Sequence, residues 1–163
     1  MAKAPKSVKT NAMRILDAAK VEYIMHEYEH AGGFSDGVTI ALKTGQPQEK
    51  VFKTLVTRGA SKNFFVFVIP VAEELHLKKA AKVVGEKSIE MIHVSEITPI
   101  TGYVRGGCSP IGMKKPFKTV IHQSCLDQAT ILVSGGSIGT QIEIKPDLLI
   151  KASNAITADI ITG

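Results

Sequence analysis

A glycine-rich segment in the second half of the chain combines residue types that are well suited to binding a small charged group. Residues 101–115 read TGYVRGGCSPIGMKK, so four glycines and one proline interrupt a chain that is otherwise rich in apolar, regular stretches. Glycine lets a ligand approach main-chain N–H groups closely, and proline stiffens a loop. Arg105, Lys114 and Lys115 add positive charge. The segment is therefore typical of a site for an anionic or carbonyl-bearing ligand.

The cysteines and acidic residues do not form a recognisable metal or cofactor site. Cys108 and Cys125 lack the Cys-x-x-Cys spacing of a zinc knuckle, and the chain has no aspartate cluster for magnesium and no Gly-x-x-x-x-Gly-Lys-Ser/Thr loop. Cys108 has no histidine near it in sequence, so we assign it to packing and not to nucleophilic attack. We predict that the protein uses neither a metal nor a cofactor.

Composition limits the architecture and the partners. The 163 residues suit one domain, which we predict to span 1–163. Twenty Lys and Arg against 15 Asp and Glu give a formal charge of +5, which permits a polyanionic partner, while the 6% aromatic content argues against a base-stacking platform. The longest apolar run, residues 64–72, contains Pro70 and is far shorter than the roughly 20 residues of a membrane span. We expect a cytoplasmic protein.

The periodicity of apolar residues predicts interleaved helices and strands. Helical spacing or capping signals are found after Thr10 and over 38–43, 47–52, 75–84 and 146–152. Alternating or β-branched runs predict strands over 21–28, 54–58, 63–69, 89–93, 118–122, 130–134, 141–144 and 156–161. Pro99 is expected to begin the glycine-rich loop. We predict a mixed α+β domain in which short helices flank one barrel-like sheet of six to seven strands.

Several short pieces together resemble the YbaK/EbsC family. They occur in the family's order: Glu27-Tyr28-Glu29-His30, Val51-Phe52-Lys53-Thr54-Leu55, Leu77-Lys78-Lys79-Ala80-Ala81-Lys82, Glu90-Met91, Thr101-Gly102-Tyr103, Gly106-Gly107-Cys108-Ser109-Pro110-Ile111-Gly112 and Ser134-Gly135-Gly136. The most specific feature is the lysine before a strand, followed about fifty residues later by Gly-Gly-x-Ser-Pro-x-Gly. The resemblance implies an enzyme that hydrolyses cysteine from mischarged Cys-tRNA(Pro), and it implies prolyl-tRNA synthetase as a transient partner.

The resemblance also implies roles for individual residues. Lys53 would hold the terminal adenosine or its phosphate and the ester, and the N–H groups of Gly106 and Gly107 would receive the carbonyl oxygen as it becomes an oxyanion. The implied substrate-binding residues are Tyr28, Phe34, Thr101, Ser109, Pro110 and Ser134. The candidates for tRNA contact are Lys62, Arg105, Lys114 and Lys115, because the segment after Gly136 lacks the basic pair that relatives often carry.

Two questions of mechanism and class stay open in the sequence. The thiol of the esterified cysteine could attack the ester carbonyl, so that the cysteine leaves the tRNA as a cyclic thiolactone. Alternatively, a water molecule oriented by the 2′-hydroxyl could attack the same carbonyl. The same pocket could also belong to an Ala-tRNA(Pro) deacylase, or to a non-catalytic module that binds tRNA or prolyl-tRNA synthetase. Hydrolysis of the ester is the prediction that the lysine and the glycine loop favour.

Overall fold

The computed structural model of the protein describes residues 9–29 and 36–163, in which helices and strands alternate. The α-helices are α1 (Asn11–Ala18), α2 (Gly37–Thr44), α3 (Leu77–Val84), α4 (Ile97–Thr101) and α5 (Pro146–Ser153). The strands are β1 (Ile24–Glu27), β2 (Phe52–Gly59), β3 (Phe64–Pro70), β4 (Ile89–Met91), β5 (Lys118–His122), β6 (Ile131–Ser134), β7 (Thr140–Ile144) and β8 (Ile156–Ala158). Short 3-10 turns cover Gln48–Lys50, Val94–Glu96 and Gln123–Asp127.

The strands confirm a mixed α+β fold but form two sheets. One sheet has the order β1-β7-β6 and is antiparallel. The other has the order β4-β2-β3-β5-β8, in which β5 pairs in parallel with both β3 and β8. A parallel bridge between Val51 and Leu132 links the sheets. The prediction of one barrel-like sheet of six to seven strands is therefore corrected to eight strands in two sheets within the described residues.

The core is centred on β3, whose sequence FFVFVIP is apolar on both faces. Residues 66–69 are completely buried, as expected for a strand covered on two sides. One face, with Val66 and Val68, packs against α1, α5 and the three-stranded sheet. The opposite face, with Phe67, packs against α3. The predicted hairpin of β2 and β3 is confirmed, and it holds the first residues of β2 at the junction of the two sheets.

Two helices next to this junction begin and end as their sequences dictate. Asp36 accepts a hydrogen bond from the Thr39 N–H and so caps α2, which ends at Gly45 in the left-handed conformation. Pro99 lies inside α4, not at the start of the loop as predicted. It is the third helical residue, where no intrahelical N–H partner is lost. The glycine-rich loop therefore starts at Gly102, which has a φ of +85°.

The edge of β2 is left open between its two neighbours. At one end the Val51–Leu132 bridge joins it to β6, and at the other end residues 57–59 pair with β4. Within the described residues, no strand pairs with Lys53–Leu55 on that side. No strand of the small sheet pairs with this stretch in the described residues, and a gap lies beside it. None of the helices in the described part of the chain is long and apolar enough to cross a membrane.

Candidate active site

A cavity of about 560 Å³ fills the gap between the two sheets. Its walls come from five parts of the fold: the start of α2, the open edge of β2, the ends of β6 and β7, the segment from β4 to α4, and the glycine-rich loop. The residues that line it include Tyr28, Asp36, Val38, Lys53, Thr54, Leu55, Met91, Ile92, Val94, Ile97, Arg105, Gly106, Cys108, Ser134, Thr140 and Gln141. Of the predicted residues, the structure thus brings together Tyr28, Lys53, Arg105, Gly106 and Ser134.

Lys53 is the half-buried cation of this cavity. It is the second residue of β2 and is paired with Ile69 of β3, so its main chain is fixed. Burial lowers the pKa of its ammonium, and the more distant carboxylates of Glu74, Asp36 and Glu73 oppose that shift. Among the described residues, no hydrogen bond or ion pair within 4 Å holds this ammonium. A partly desolvated cation in this position is suited to bind an anionic or carbonyl oxygen of a ligand.

The two adjacent glycines of the loop have different environments. Gly106 lines the cavity and has a φ of +83°, a conformation that glycine adopts without strain. Gly107 lies behind it, and its N–H donates to the Val104 carbonyl over 2.9 Å, which closes a turn. The Gly107 N–H therefore already has a partner, and of the two predicted oxyanion donors only the Gly106 N–H stays a prediction.

Gly107 sets the distance between the loop and the turn that joins β6 to β7. A Cβ atom on it would lie 2.9 Å from main-chain atoms of Ser137 and Ile138. That turn also carries Ser134, whose Oγ accepts the Gly136 N–H over 3.2 Å. The absence of a side chain at Gly107 therefore lets two walls of the cavity pack directly against each other.

Tyr28 and Ser134 reach the cavity from the three-stranded sheet. The Tyr28 N–H donates to the Gly139 carbonyl over 2.9 Å, which continues the pairing of β1 with β7. Ser134 is the last residue of β6 and lies opposite Gln141 of β7. Phe34, which was predicted to line the cysteine pocket, lies outside the described residues.

Three predicted substrate-binding residues shape the loop and do not line the cavity. Thr101 is buried at the end of α4, where its hydroxyl donates to the Ile97 carbonyl over 2.7 Å and accepts the Tyr103 N–H over 3.0 Å. Ser109 is fully buried and accepts the Ile111 N–H. Pro110 is also buried and lines a separate, smaller hollow of about 280 Å³. The geometry gives all three a role in holding the loop.

The predicted tRNA contacts do not all lie near the cavity. Arg105 is exposed and lines it. Lys114 and Lys115 are exposed on the same loop, and the Lys114 ammonium donates to the Pro99 carbonyl over 3.2 Å. Lys62 lies in the turn between β2 and β3. The part of β2 that separates Lys53 from this turn is roughly 20 Å long, at about 3.3 Å per residue. The structure therefore separates Lys62 from the other three.

Sequence reasoning missed four polar residues of the cavity, which are Asp36, Thr54, Thr140 and Gln141. Thr54 follows Lys53 on β2, and Gln141 is only 5% exposed in the middle strand of the small sheet. The Oγ1 atom of Thr54 and the Oε1 atom of Gln141 are buried without a hydrogen-bond partner among the described residues. The strand that carries Gln141 reads TQIEI, so no sequence signal singles out this glutamine among its polar residues.

Two sequence patterns also match catalytic motifs, but the fold places them outside the required context. Residues 26–30 read HEYEH, whereas a zinc-binding His-Glu-x-x-His needs a helix to bring both histidines to one face. His26 instead lies in β1, with its Nε2 atom 2.7 Å from Glu143 Oε1, and His30 is outside the described residues. Residues 135–139 read GGSIG, and they connect two strands, not a strand and a helix as in a nucleophile elbow.

Cys108 lines the cavity as a protonated thiol. Burial raises its pKa to about 11, against a weaker opposing effect of a hydrogen bond with Thr101. Since the thiolate is the nucleophilic form, Cys108 has almost none of it at neutral pH. In an assay of the Cys-tRNA(Pro) hydrolysis that the sequence resemblance implies, we expect Cys108→Ala to stay within about threefold of the parent rate, because no bond to this sulfur is needed. A loss as large as that caused by removing Lys53 would contradict this assignment.

Comparison with known proteins assigns the chain to a class, the editing domains for aminoacyl-tRNA. The chain matches the family described as the aminoacyl-tRNA editing domain over residues 38–152, and it belongs to that family. It is 41% identical over 162 residues, 99% of both chains, to a protein of Enterococcus faecalis provisionally named Cys-tRNA(Pro)/Cys-tRNA(Cys) deacylase EbsC.

Solved structures share the fold. A protein described as a candidate trans-editing enzyme for prolyl-tRNA synthetase is 22% identical with a TM-score of 0.80, and the match covers 96% of this chain and 100% of the other. A crystal structure of a protein described as hypothetical is 19% identical with a TM-score of 0.84, covering 93% and 99%. At these identities the likeness concerns the fold alone.

Proposed function

We propose that the protein is a freestanding trans-editing enzyme that deacylates mischarged Cys-tRNA(Pro). The observation that carries the proposal is the meeting of Lys53, Gly106, Tyr28 and Ser134 around one cavity in a member of the editing family. The name of the Enterococcus faecalis relative supports the same substrate. A separate editing step after aminoacylation is needed, because the binding free energies of similar small side chains in a synthetase pocket differ by only a few kcal/mol.

The proposed chemistry uses the substrate's own sulfur. The cysteine sulfur forms a bond to its carbonyl carbon, the bond from that carbon to the ribose 3′-oxygen breaks, and the thiol proton ends on the released hydroxyl. The cyclic thiolactone then leaves and is opened by water. The protein supplies position and charge: Lys53 holds an oxygen of the terminal nucleotide or the ester, and the Gly106 N–H stabilises the oxyanion.

In this proposal the whole chain acts as one editing domain in the cytoplasm, and prolyl-tRNA synthetase delivers the tRNA in a transient complex. Arg105, Lys114 and Lys115 contact the phosphates of the acceptor end. Their charges would add to affinity without reading sequence.

The decisive experiment is a deacylation panel with the purified protein and Cys-, Ala- and Pro-tRNA(Pro), together with tRNA(Pro) carrying S-methylcysteine. We expect fast release of cysteine, and release of the S-methyl analogue at least 100-fold more slowly, since the blocked sulfur cannot attack. Equal rates for cysteine and S-methylcysteine would replace thiol attack by water attack. Faster release of alanine would make the protein an Ala-tRNA(Pro) deacylase, and no release from any ester would leave a binding module.

A further inference from the structure

The turn between β6 and β7 is held by the start of α1, which is far away in the sequence. The Thr10 hydroxyl donates to the Gly135 carbonyl over 2.5 Å, across a separation of 125 residues. The same hydroxyl accepts the Met13 N–H over 3.2 Å and so caps α1. A Cβ atom on Gly136 would lie 2.9 Å from the Thr10 Cβ atom and 3.1 Å from Tyr103 Cε1. The turn is therefore packed closely between α1 and the beginning of the glycine-rich loop.

One peptide group connects Thr10 to the side chain of Ser134. The carbonyl of Gly135 and the N–H of Gly136 belong to the same planar peptide unit. Thr10 binds the oxygen of this unit, and Ser134 Oγ accepts its N–H over 3.2 Å. Since the unit is rigid, holding its oxygen also fixes the direction in which its N–H points. The bond from Thr10 therefore fixes the hydrogen bond that the Ser134 oxygen accepts.

The Ser134 hydroxyl keeps a donor that a ligand can use. Ser134 is half-buried and lines the cavity. A serine hydroxyl has one O–H donor besides its acceptor lone pairs, and the Gly136 N–H occupies an acceptor position. Within residues 9–29 and 36–163, no group accepts the Ser134 proton. This proton is therefore available to an oxygen atom of a bound ligand, while the oxygen that carries it is held in place.

We infer that Thr10 is a positioning residue, which holds the Ser134 hydroxyl as a hydrogen-bond donor to an oxygen of the aminoacyl ester. The inference rests on the proposed function and deepens it. Ser134 contacts the substrate, and Thr10 acts only through the peptide between Gly135 and Gly136. Without the bond from Thr10 this peptide can rotate, and the serine hydroxyl has to be ordered during the reaction. A donor that is already oriented stabilises the transition state without that cost.

The test uses Thr10→Asp, because aspartate still caps a helix but its carboxylate cannot donate to the Gly135 carbonyl. We expect kcat for Cys-tRNA(Pro) to fall by about fivefold to 10-fold with KM within about twofold, and Thr10→Ser to restore the parent kcat. Ser134→Ala should lower kcat by about 10-fold to 100-fold. Adding Thr10→Asp to Ser134→Ala should cost less than about twofold more, because the hydroxyl through which Thr10 acts is then absent.

The control for the helix is Ala18→Gly. It weakens α1 at an exposed position without changing the contact with the turn, so kcat should equal that of the parent. If thermal unfolding shows that Thr10→Asp does not fold, the nearly isosteric Thr10→Val replaces it in the same comparison. Equal losses in the parent and in the Ser134→Ala background overturn the positioning role while the deacylase stands, and so does a loss that Thr10→Ser does not restore.

Exchange of the Gly136 N–H with solvent, followed by NMR, tests the positioning bond without an activity assay. We expect this N–H to exchange at least about fivefold faster in Thr10→Asp than in the parent and at an unchanged rate in Ala18→Gly. Equal exchange in Thr10→Asp and the parent overturns the inference. A parent protein that does not release cysteine overturns the proposed function itself, whatever the exchange rates are.

Discussion

Replacing Lys53 by alanine is expected to lower kcat/KM for Cys-tRNA(Pro) by about 100-fold or more, which is the scale of losing one charged or oxyanion-stabilising donor. The reason is the position of its ammonium, which lines the cavity without an ion pair within the described residues. Single-turnover deacylation measures the effect. Lys87→Ala, an exposed lysine that does not line the cavity, is the matched control and should keep the parent rate.

The burial of Lys53 also predicts an effect of its removal on stability, opposite in sign to the effect on activity. Burial lowers the pKa of the ammonium, so the folded state holds its proton less tightly than the unfolded chain does. Lys53→Met keeps the side-chain length without the charge, and we expect its melting temperature to equal or exceed that of the parent although activity is lost. The parent rate should fall at alkaline pH as Lys53 titrates, below the ordinary value of 10.5. A Lys53→Met variant that loses both activity and stability would give this lysine a structural role.

Substituting alanine at Gly107 is expected to lower deacylation at least 10-fold and to destabilise the fold by about 1–3 kcal/mol, the usual range for overpacking a closely packed site. The new Cβ would lie 2.9 Å from the main chain of Ser137 and Ile138, which cannot move aside as a flexible side chain could. The loop that carries Gly106 would then separate from the turn after Ser134. Steady-state deacylation and urea unfolding measure the two effects.

Gly85 offers the control for this glycine. It ends α3 with a φ of +75°, and a Cβ on it would have no atom within 4 Å. Gly85→Ala should cost about 1 kcal/mol of stability from the left-handed conformation and leave the deacylation rate unchanged. If Gly107→Ala behaved in the same way, the loop and the turn would not be coupled through this contact.

Most elements of the fold followed from local patterns, whereas α4 and the grouping of the strands into sheets did not. The run FFVFVIP and its turn are enough to predict the β2–β3 hairpin, because both strand periodicity and loop signals are local. The division into two sheets depends on which strand pairs with which, and the Val51–Leu132 bridge joins residues that are far apart in the chain. No local pattern specifies such a pairing, so the sequence indicated one sheet.

The same difference between local patterns and long-range contacts applies to the candidate active site. The glycine loop was predicted from its own residue types, whereas Lys53 was predicted from the family resemblance. The sequence did not distinguish Gly106 from Gly107, since that difference lies in a turn bond to Val104. Gln141 was missed because an isolated glutamine in a strand has no motif. Only the structure shows that it pairs with Ser134 and lines the cavity.

The open stretch of β2 also affects how the molecule meets other chains. An exposed strand edge normally invites a strand from another molecule and so promotes aggregation. Here only residues 53–55 are open, since Val51 is bridged on one side and Thr57 is paired on the other. That length is below the five or six residues of an ordinary strand. The opening is therefore too short for another protein's strand to add to the sheet, and in the proposed function it leaves main-chain groups accessible to the narrow acceptor end of a tRNA.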